Sequence, residues 1–442
     1  MTWIKQSTVR SAPVLLALSA CLLINVIQAQ TAGIAQQFLE SLEEARFDQA
    51  HAMLSSEVSD QISRAQLEQI WLSLPGQVGA YQGHEAPQIS SSETGDLFLF
   101  RLNFANAALD ARINVNQNGQ VDGFFLVPAA PGAPAEKALA SSDRWVESEF
   151  VVADELPGIL TLPEGTGPFP AVVLVHGSGP GDRDQTIGPN TPFRDLAHGL
   201  AEQGIASLRY DKRSLVKPAD LTGAYTVEQE VLSDVRAAVE QVQEVNEINP
   251  QRVVVAGLSL GGLLAPRIGL ANPELAGLIL MAAPARGLEA MVPQQLRYIF
   301  SLDGQIDQAE AAQLAQIDAQ AAAVAELSDP QSAAPGLLGV PESYLLDLRN
   351  YDPIATARSL DLPMLILQGG RDYQVTVEDD FAMWQRAFAE VGRVTLKRYD
   401  RLNHVFISGK GMATPAEYIN DVGHVDPEVI SDMAKWIHAS FN

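Results

Sequence analysis

The 442-residue chain is long enough for several domains, although one α/β domain can exceed ~250 residues, and its 47% apolar and 19% charged residues support packed cores and exclude wholesale disorder. Its 54 Asp and Glu against 29 Lys and Arg give a formal charge of -25, which argues against a nucleic-acid partner, whose phosphates need cationic neutralisation, and against broad adhesion to anionic lipid. The single cysteine excludes an intramolecular disulfide framework and a Cys-rich zinc site.

Residues 1–29 read as a secretory signal peptide rather than as part of a fold. Lys5 and Arg10 form a cationic start, an apolar run follows from Pro13 to Ile27, and Ile27-Gln28-Ala29 offers a small-residue exit before Gln30. The expected location is therefore secreted or periplasmic. Cys21 sits in Leu18-Ser19-Ala20-Cys21, which resembles a bacterial lipoprotein processing box, so lipidation and an uncleaved anchor are the competing readings. No later window holds the ~20 unbroken apolar residues of a membrane span.

Residues 30–127 predict a small α+β domain. Ile34, Phe38 and Leu42 recur at helical spacing, and further apolar sets follow at Ala50, Met53, Leu54 and Val58 and at Leu67, Ile70 and Trp71. Pro75-Gly76 is expected to break the pattern. Leu97–Phe104 then reads as a strand, and Ala111–Val115 and Val121–Val127 flank the hairpin signal Asn116-Gln117-Asn118-Gly119. Helices followed by an antiparallel meander resemble the nuclear-transport-factor-like domain found ahead of some secreted bacterial hydrolases. Residues 128–142, rich in proline and alanine, are the expected linker.

From residue 143 to 442, short apolar strands alternate with helical stretches, which predicts a doubly wound, mostly parallel α/β sheet. The strands are expected at Ala171–Val175, Ile205–Tyr210, Val253–Ala256, Leu278–Ala282, Met364–Leu367 and Val394–Tyr399. Helical patterns fall at Phe193–Gln203, Val227–Val245, Phe381–Val391 and Pro427–Phe441. An insertion at about 287–360, with an Ala- and Gln-rich helix at Gln308–Leu327, is read as a helical cap over the site, against a solvated decoration.

The chemistry is carried by Gly257-Leu258-Ser259-Leu260-Gly261, set between the strand Val253–Ala256 and the helical Leu263–Leu270. A sharp strand-to-helix turn pushes a serine hydroxyl out of the sheet top, and flanking glycines leave room for close backbone. A serine needs a base, and the base an orienter. Met364–Leu367 leads through Gly369-Gly370 to Asp372, and the loop after Val394–Tyr399 carries His404, giving Ser259, Asp372 and His404 in the order such sheets use. His424 is the competing base and Asp352 the competing acid; His51, His84, His198 and His438 lie away from these loops.

Val175 is followed by His176-Gly177-Ser178-Gly179-Pro180-Gly181-Asp182-Arg183-Asp184. This loop is placed to supply an oxyanion donor, so the backbone N–H groups of Ser178 and Leu260 are the expected pair, with His176, Gly177, Gly179, Gly257 and Gly261 shaping their loops. Arg183, Asp184 and Asn190 read as loop-locking polar groups, against substrate contact. Neither phosphate-loop motif occurs, nor does H-E-x-x-H, so no metal or cofactor is called for.

These motifs together resemble the α/β-hydrolase superfamily, and most closely the bacterial EstD-like serine carboxylesterases, which share the His176–Asp184 stretch and carry an extra N-terminal domain. The resemblance implies hydrolysis of short acyl esters through an acyl-enzyme, with a small-molecule ester as partner and no cofactor. Serine aminopeptidases and acyl thioesterases of the same fold are the alternatives, and a catalytically silent binding protein is the non-enzyme one. The candidate roles of the first domain are packing against the hydrolase, homodimerisation and substrate recognition.

Overall fold

The computed structural model describes residues 31–440 except 60–61, 92–94, 106–107, 129–138 and 154. The expected signal peptide, Cys21 and most of the Pro/Ala-rich linker lie outside the described residues. The chain divides into two units, Met1–Ala130 and Pro131–Asn442.

In the first unit, helices at 31–43, Phe47–Ala52, Ser56–Ser59 and Arg64–Val78 precede an antiparallel sheet. Its strands are β1 (Tyr81–His84), β2 (Gln88–Ser91), β3 (Gly95–Phe104), β4 (Ala108–Asn116) and β5 (Val121–Pro128), ordered β1-β3-β4-β5 with β2 also on β3. Alternation along β3 points Phe98, Phe100, Leu102 and Phe104 inward, against Phe38, Leu42 and Trp71. The hairpin signal folds as expected: Asn116 Oδ1 accepts from the backbone N–H of Asn118 and Gln120, and Gly119 takes a left-handed φ of 72°. One expectation fails. The helix beginning at Arg64, capped by Ser63, runs through Pro75 to Val78. A proline in the last turn forfeits only the bond to the Trp71 carbonyl, and its own carbonyl still accepts Gly79 N–H at 3.1 Å.

The second unit is built on an eight-stranded sheet. Its strands are β6 (Trp145–Val152), β7 (Leu156–Pro163), β8 (Phe169–Val175), β9 (Ala206–Tyr210), β10 (Ile248–Leu258), β11 (Gly277–Met281), β12 (Met364–Gly369) and β13 (Val394–Tyr399). The order is β6-β7-β9-β8-β10-β11-β12-β13. The six strands from β8 on are mutually parallel, and β7 is antiparallel to both neighbours. Ala171, Val173 and Val175 face a layer formed with the helices Ser233–Gln243 and Leu260–Ala271, together with Trp384 and Phe388. Val172 and Leu174 face the opposite layer, formed with Pro192–Ala201 and the C-terminal helix Pro427–Ser440. Burial on both faces explains why these strands read as unbroken apolar runs.

Two expected helices carry a π-helical turn at their start, Glu228–Leu232 before Ser233–Gln243 and Val377–Phe381 before Ala382–Phe388. The insertion lies between β11 and β12. It comprises helices Leu288–Phe300, Gln308–Val324, Glu342–Arg349 and Pro353–Ser359 with a 3-10 turn at Leu337–Gly339. The Ala/Gln-rich Gln308–Val324 is largely solvent-facing but buries Leu314 and Val324, and Val324 packs with Val292, Leu337 and Leu345 of the flanking segments.

Candidate active site

The strand β10 ends at Leu258 and the helix Leu260–Ala271 starts at once, so Ser259 alone makes the turn, at φ 53° and ψ -114°. A non-glycine residue there stores on the order of 1–3 kcal/mol, which the surrounding structure must hold. Ser259 N–H donates to Met281 O at 2.9 Å, and Ser259 O accepts from Leu263 N–H at 2.8 Å. Close approach makes the neighbouring glycines obligatory. A Cβ on Gly257 would lie 2.1 Å from Gly261 O, and one on Gly261 would lie 2.4 Å from Val175 O.

β12 ends in Gln368-Gly369 and delivers Asp372, fully buried. Its Oδ1 accepts the backbone N–H groups of Gln374 at 2.8 Å and Val375 at 3.0 Å. Its Oδ2 accepts from Gln368 Nε2 at 3.1 Å and faces His404 Nδ1 at 2.7 Å. A carboxylate oxygen accepts, so in this contact Nδ1 is the nitrogen that carries the hydrogen and Nε2 is the one left for other partners. The loop after β13 is held by Asn403 Oδ1, which accepts from Val405 and Ile407 N–H, and by Tyr418, whose hydroxyl accepts from His404 N–H.

Ser259 and His404 open on one cavity of about 280 Å³, together with Gly177, Ser178, Leu260 and Gln374. Apolar side chains of the insertion, among them Leu288, Met291, Val292 and Leu337, line it, so the flanks of the insertion roof the site. The loop after β8 runs close to the serine: a Cβ on Gly177 would touch Ser259 Cβ at 3.4 Å. Gly177 N–H is taken by Gln185 Oε1 at 3.1 Å, and the next residue, Ser178, lines the cavity. Burial and the nearby Lys212 charge push His176 down to about 4. It stays neutral and faces Asp182 O at 3.0 Å as a loop support.

The remaining candidates separate cleanly. Arg183 pairs with Asp211 at 2.7 Å, Asp184 with buried Arg209 at 2.9 Å, and Asn190 Nδ2 donates to the carbonyls of Tyr418 and Asp421, so all three lock loops. His424 is exposed against Asp195, and Asp352 caps Pro353–Ser359 through Ala355 N–H. His51, His84, His198 and His438 contact Ile62 O, Glu43, Glu147 and Gln203 O respectively. The sequence motifs do not announce Gln185 or Gln368. Gln368 left a trace as the lone polar residue of an apolar strand, whereas Gln185 left none. Among the described residues, no group of three His, Cys, Asp or Glu is placed to hold a metal ion, and no helix is long and apolar enough to cross a membrane.

Residues 172–427 match the alpha/beta hydrolase family, and the chain belongs to it. Residues 35–124 match a protein family of unknown function, DUF3887. Among individual proteins, the chain is 38% identical over 405 residues to Esterase EstD of Thermotoga maritima, covering 90% of this chain and 93% of that one. Solved structures that align with the chain include Est1E from Butyrivibrio proteoclasticus, at 15% identity over 67% of this chain and 98% of that chain, TM-score 0.43. The Pyrococcus furiosus esterase PF2001 aligns at 17% identity over 67% of this chain and 91% of that chain, TM-score 0.40.

Proposed function

We propose that the protein is a serine carboxylesterase that hydrolyses short-chain acyl esters through Ser259, His404 and Asp372. The similarity to Esterase EstD along nearly the whole chain supports ester hydrolysis. The observation that carries the catalytic assignment is the Asp372–His404 contact at 2.7 Å, with that imidazole and the strained Ser259 facing one cavity. Ser259 Oγ attacks the acyl carbonyl as His404 Nε2 takes its proton. The N–H groups of Ser178 and Leu260 receive the oxyanion; one such donor is worth on the order of 10²–10³ in rate. The carbon–oxygen bond to the alcohol breaks, the alkoxide leaves with the proton from Nε2, and water repeats the sequence on the acyl-Ser259 ester.

Two features favour short esters over aminoacyl substrates. The cavity, at about 280 Å³, lies at the small end of ligand pockets, which begin near ~300 Å³. No Asp or Glu is among its described lining residues to receive a substrate ammonium. A series of p-nitrophenyl esters is expected to give the highest kcat/KM at acetate or butyrate and a steep fall beyond octanoate, with aminoacyl-anilides and acyl thioesters slower. A maximum at the long-chain esters, or faster anilide hydrolysis, overturns this substrate assignment.

Export follows from Lys5, Arg10 and the apolar run to Ile27. Expression with the native N-terminus is expected to yield a mature protein starting at Gln30 in the periplasm or medium, read by intact mass. A diacylated Cys21 would replace that reading with lipoprotein anchoring.

A further inference from the structure

We infer that Lys212, outside the proposed catalytic trio, is the positioning residue that aims the Ser178 amide, and that Glu230 and Tyr344 hold it in place. The inference rests on the serine esterase reading. Lys212 follows β9 and is almost fully buried. Its Nζ donates to Gly177 O at 3.0 Å and Gly179 O at 3.0 Å and pairs with Glu230 Oε1 at 2.9 Å. An ammonium has three N–H donors, and each has its acceptor here. Lys212 N–H also donates to Gly181 O at 2.9 Å, so one residue grips three carbonyls of the loop.

The grip on Gly177 O bears on catalysis because that carbonyl shares a trans peptide with Ser178 N–H, and the two point in opposite directions. Fixing the oxygen on the buried side turns the N–H toward the cavity that Ser178 and Ser259 line. A cation on the carbonyl also polarises the peptide and strengthens its N–H as a donor to an oxyanion. Neither function needs Lys212 to touch substrate.

The ammonium is held from behind. Glu230 lies in the π-helical turn Glu228–Leu232, and its Oε2 accepts the Tyr344 hydroxyl at 2.6 Å. Burial pushes the Glu230 carboxyl up, but the Lys212 charge and the Tyr344 hydroxyl outweigh it and hold the group below its ordinary value. Tyr344 belongs to the insertion helix Glu342–Arg349, and its neighbour Leu345 packs with Val292 and Leu337, two residues of the cavity roof. A continuous chain of contacts therefore runs from the roof to the oxyanion peptide.

The test is Lys212→Met combined with Glu230→Gln, which removes both charges and leaves no lone buried ion. The readouts are kcat and KM for p-nitrophenyl butyrate per organophosphate-titrated site, the Ki of an acyl trifluoromethyl ketone, and thermal melting. In the folded variant kcat is expected to fall by ~10²-fold or more, with KM within about threefold and the ketone, whose hemiketal carries the oxyanion, weakened in parallel. A folded variant with wild-type kcat and ketone affinity overturns the inference. If the double variant does not fold, Tyr344→Phe, which deletes one hydroxyl and keeps both charges, is expected to lower kcat and ketone affinity together by about threefold or more; unchanged values overturn it. Ser259→Ala, assayed alongside, separates the two levels: if it stays active, the esterase mechanism itself falls.

Discussion

Ser259→Ala is expected to lower kcat/KM for p-nitrophenyl butyrate by at least ~10⁴-fold, the scale seen when a serine nucleophile is removed. Alanine takes the same backbone and fills less space, so melting should stay near that of the parent. The glycines at 257 and 261 and the bonds to Met281 O and from Leu263 N–H hold the turn without the hydroxyl. Intact mass after an organophosphate should show one adduct on the parent and none on the variant. An adduct that persists, or full activity, would place the nucleophile elsewhere.

Asp372→Asn should cost nearly as much, for a reason legible in the bonding. Oδ1 faces two backbone N–H groups, from Gln374 and Val375, so an amide NH₂ cannot sit there. The Asn carbonyl takes that side, and its NH₂ turns toward His404 Nδ1 and Gln368 Nε2. A donor facing Nδ1 forces the hydrogen onto Nε2, the nitrogen that takes the serine proton in the proposed mechanism. A loss of ~10⁴ in kcat is expected for this tautomer error, with KM little changed. Measuring kcat and KM across pH distinguishes the case: a variant within tenfold of the parent at neutral pH would show that Asp372 only fills a turn.

Much of the second unit was readable because parallel strands covered on both faces write unbroken apolar runs. β8, β9, β11, β12 and β13 fall within about two residues of their expected bounds. β6 and β7 were missed. β6 alternates buried and exposed positions at the sheet edge, and its Glu147, Ser148 and Glu149 mask the strand signal. The π-helical turns were invisible because the apolar spacing around them still reads as α-helix, and Pro75 misled because punctuation is weak in a final turn. The Ser259, Asp372 and His404 loops were legible because each follows a strand the sequence announces. The supporting bonds were not. Gln185 to Gly177, Lys212 to Gly179 and Tyr344 to Glu230 join residues separated by 8, 33 and 114 positions, a distance no local pattern spans.

The roof and the proposed catalytic side chains are drawn from different parts of the chain. Ser259, Asp372 and His404 stand at the ends of β10, β12 and β13, whereas Leu288, Met291, Val292 and Leu337 all belong to the stretch between β11 and β12. Changes in the shape of the cavity can thus accumulate in one contiguous block while the sheet goes on presenting the same three proposed catalytic side chains. For engineering, this makes that block the place to randomise when a new selectivity is sought, with the proposed catalytic side chains carried along unaltered.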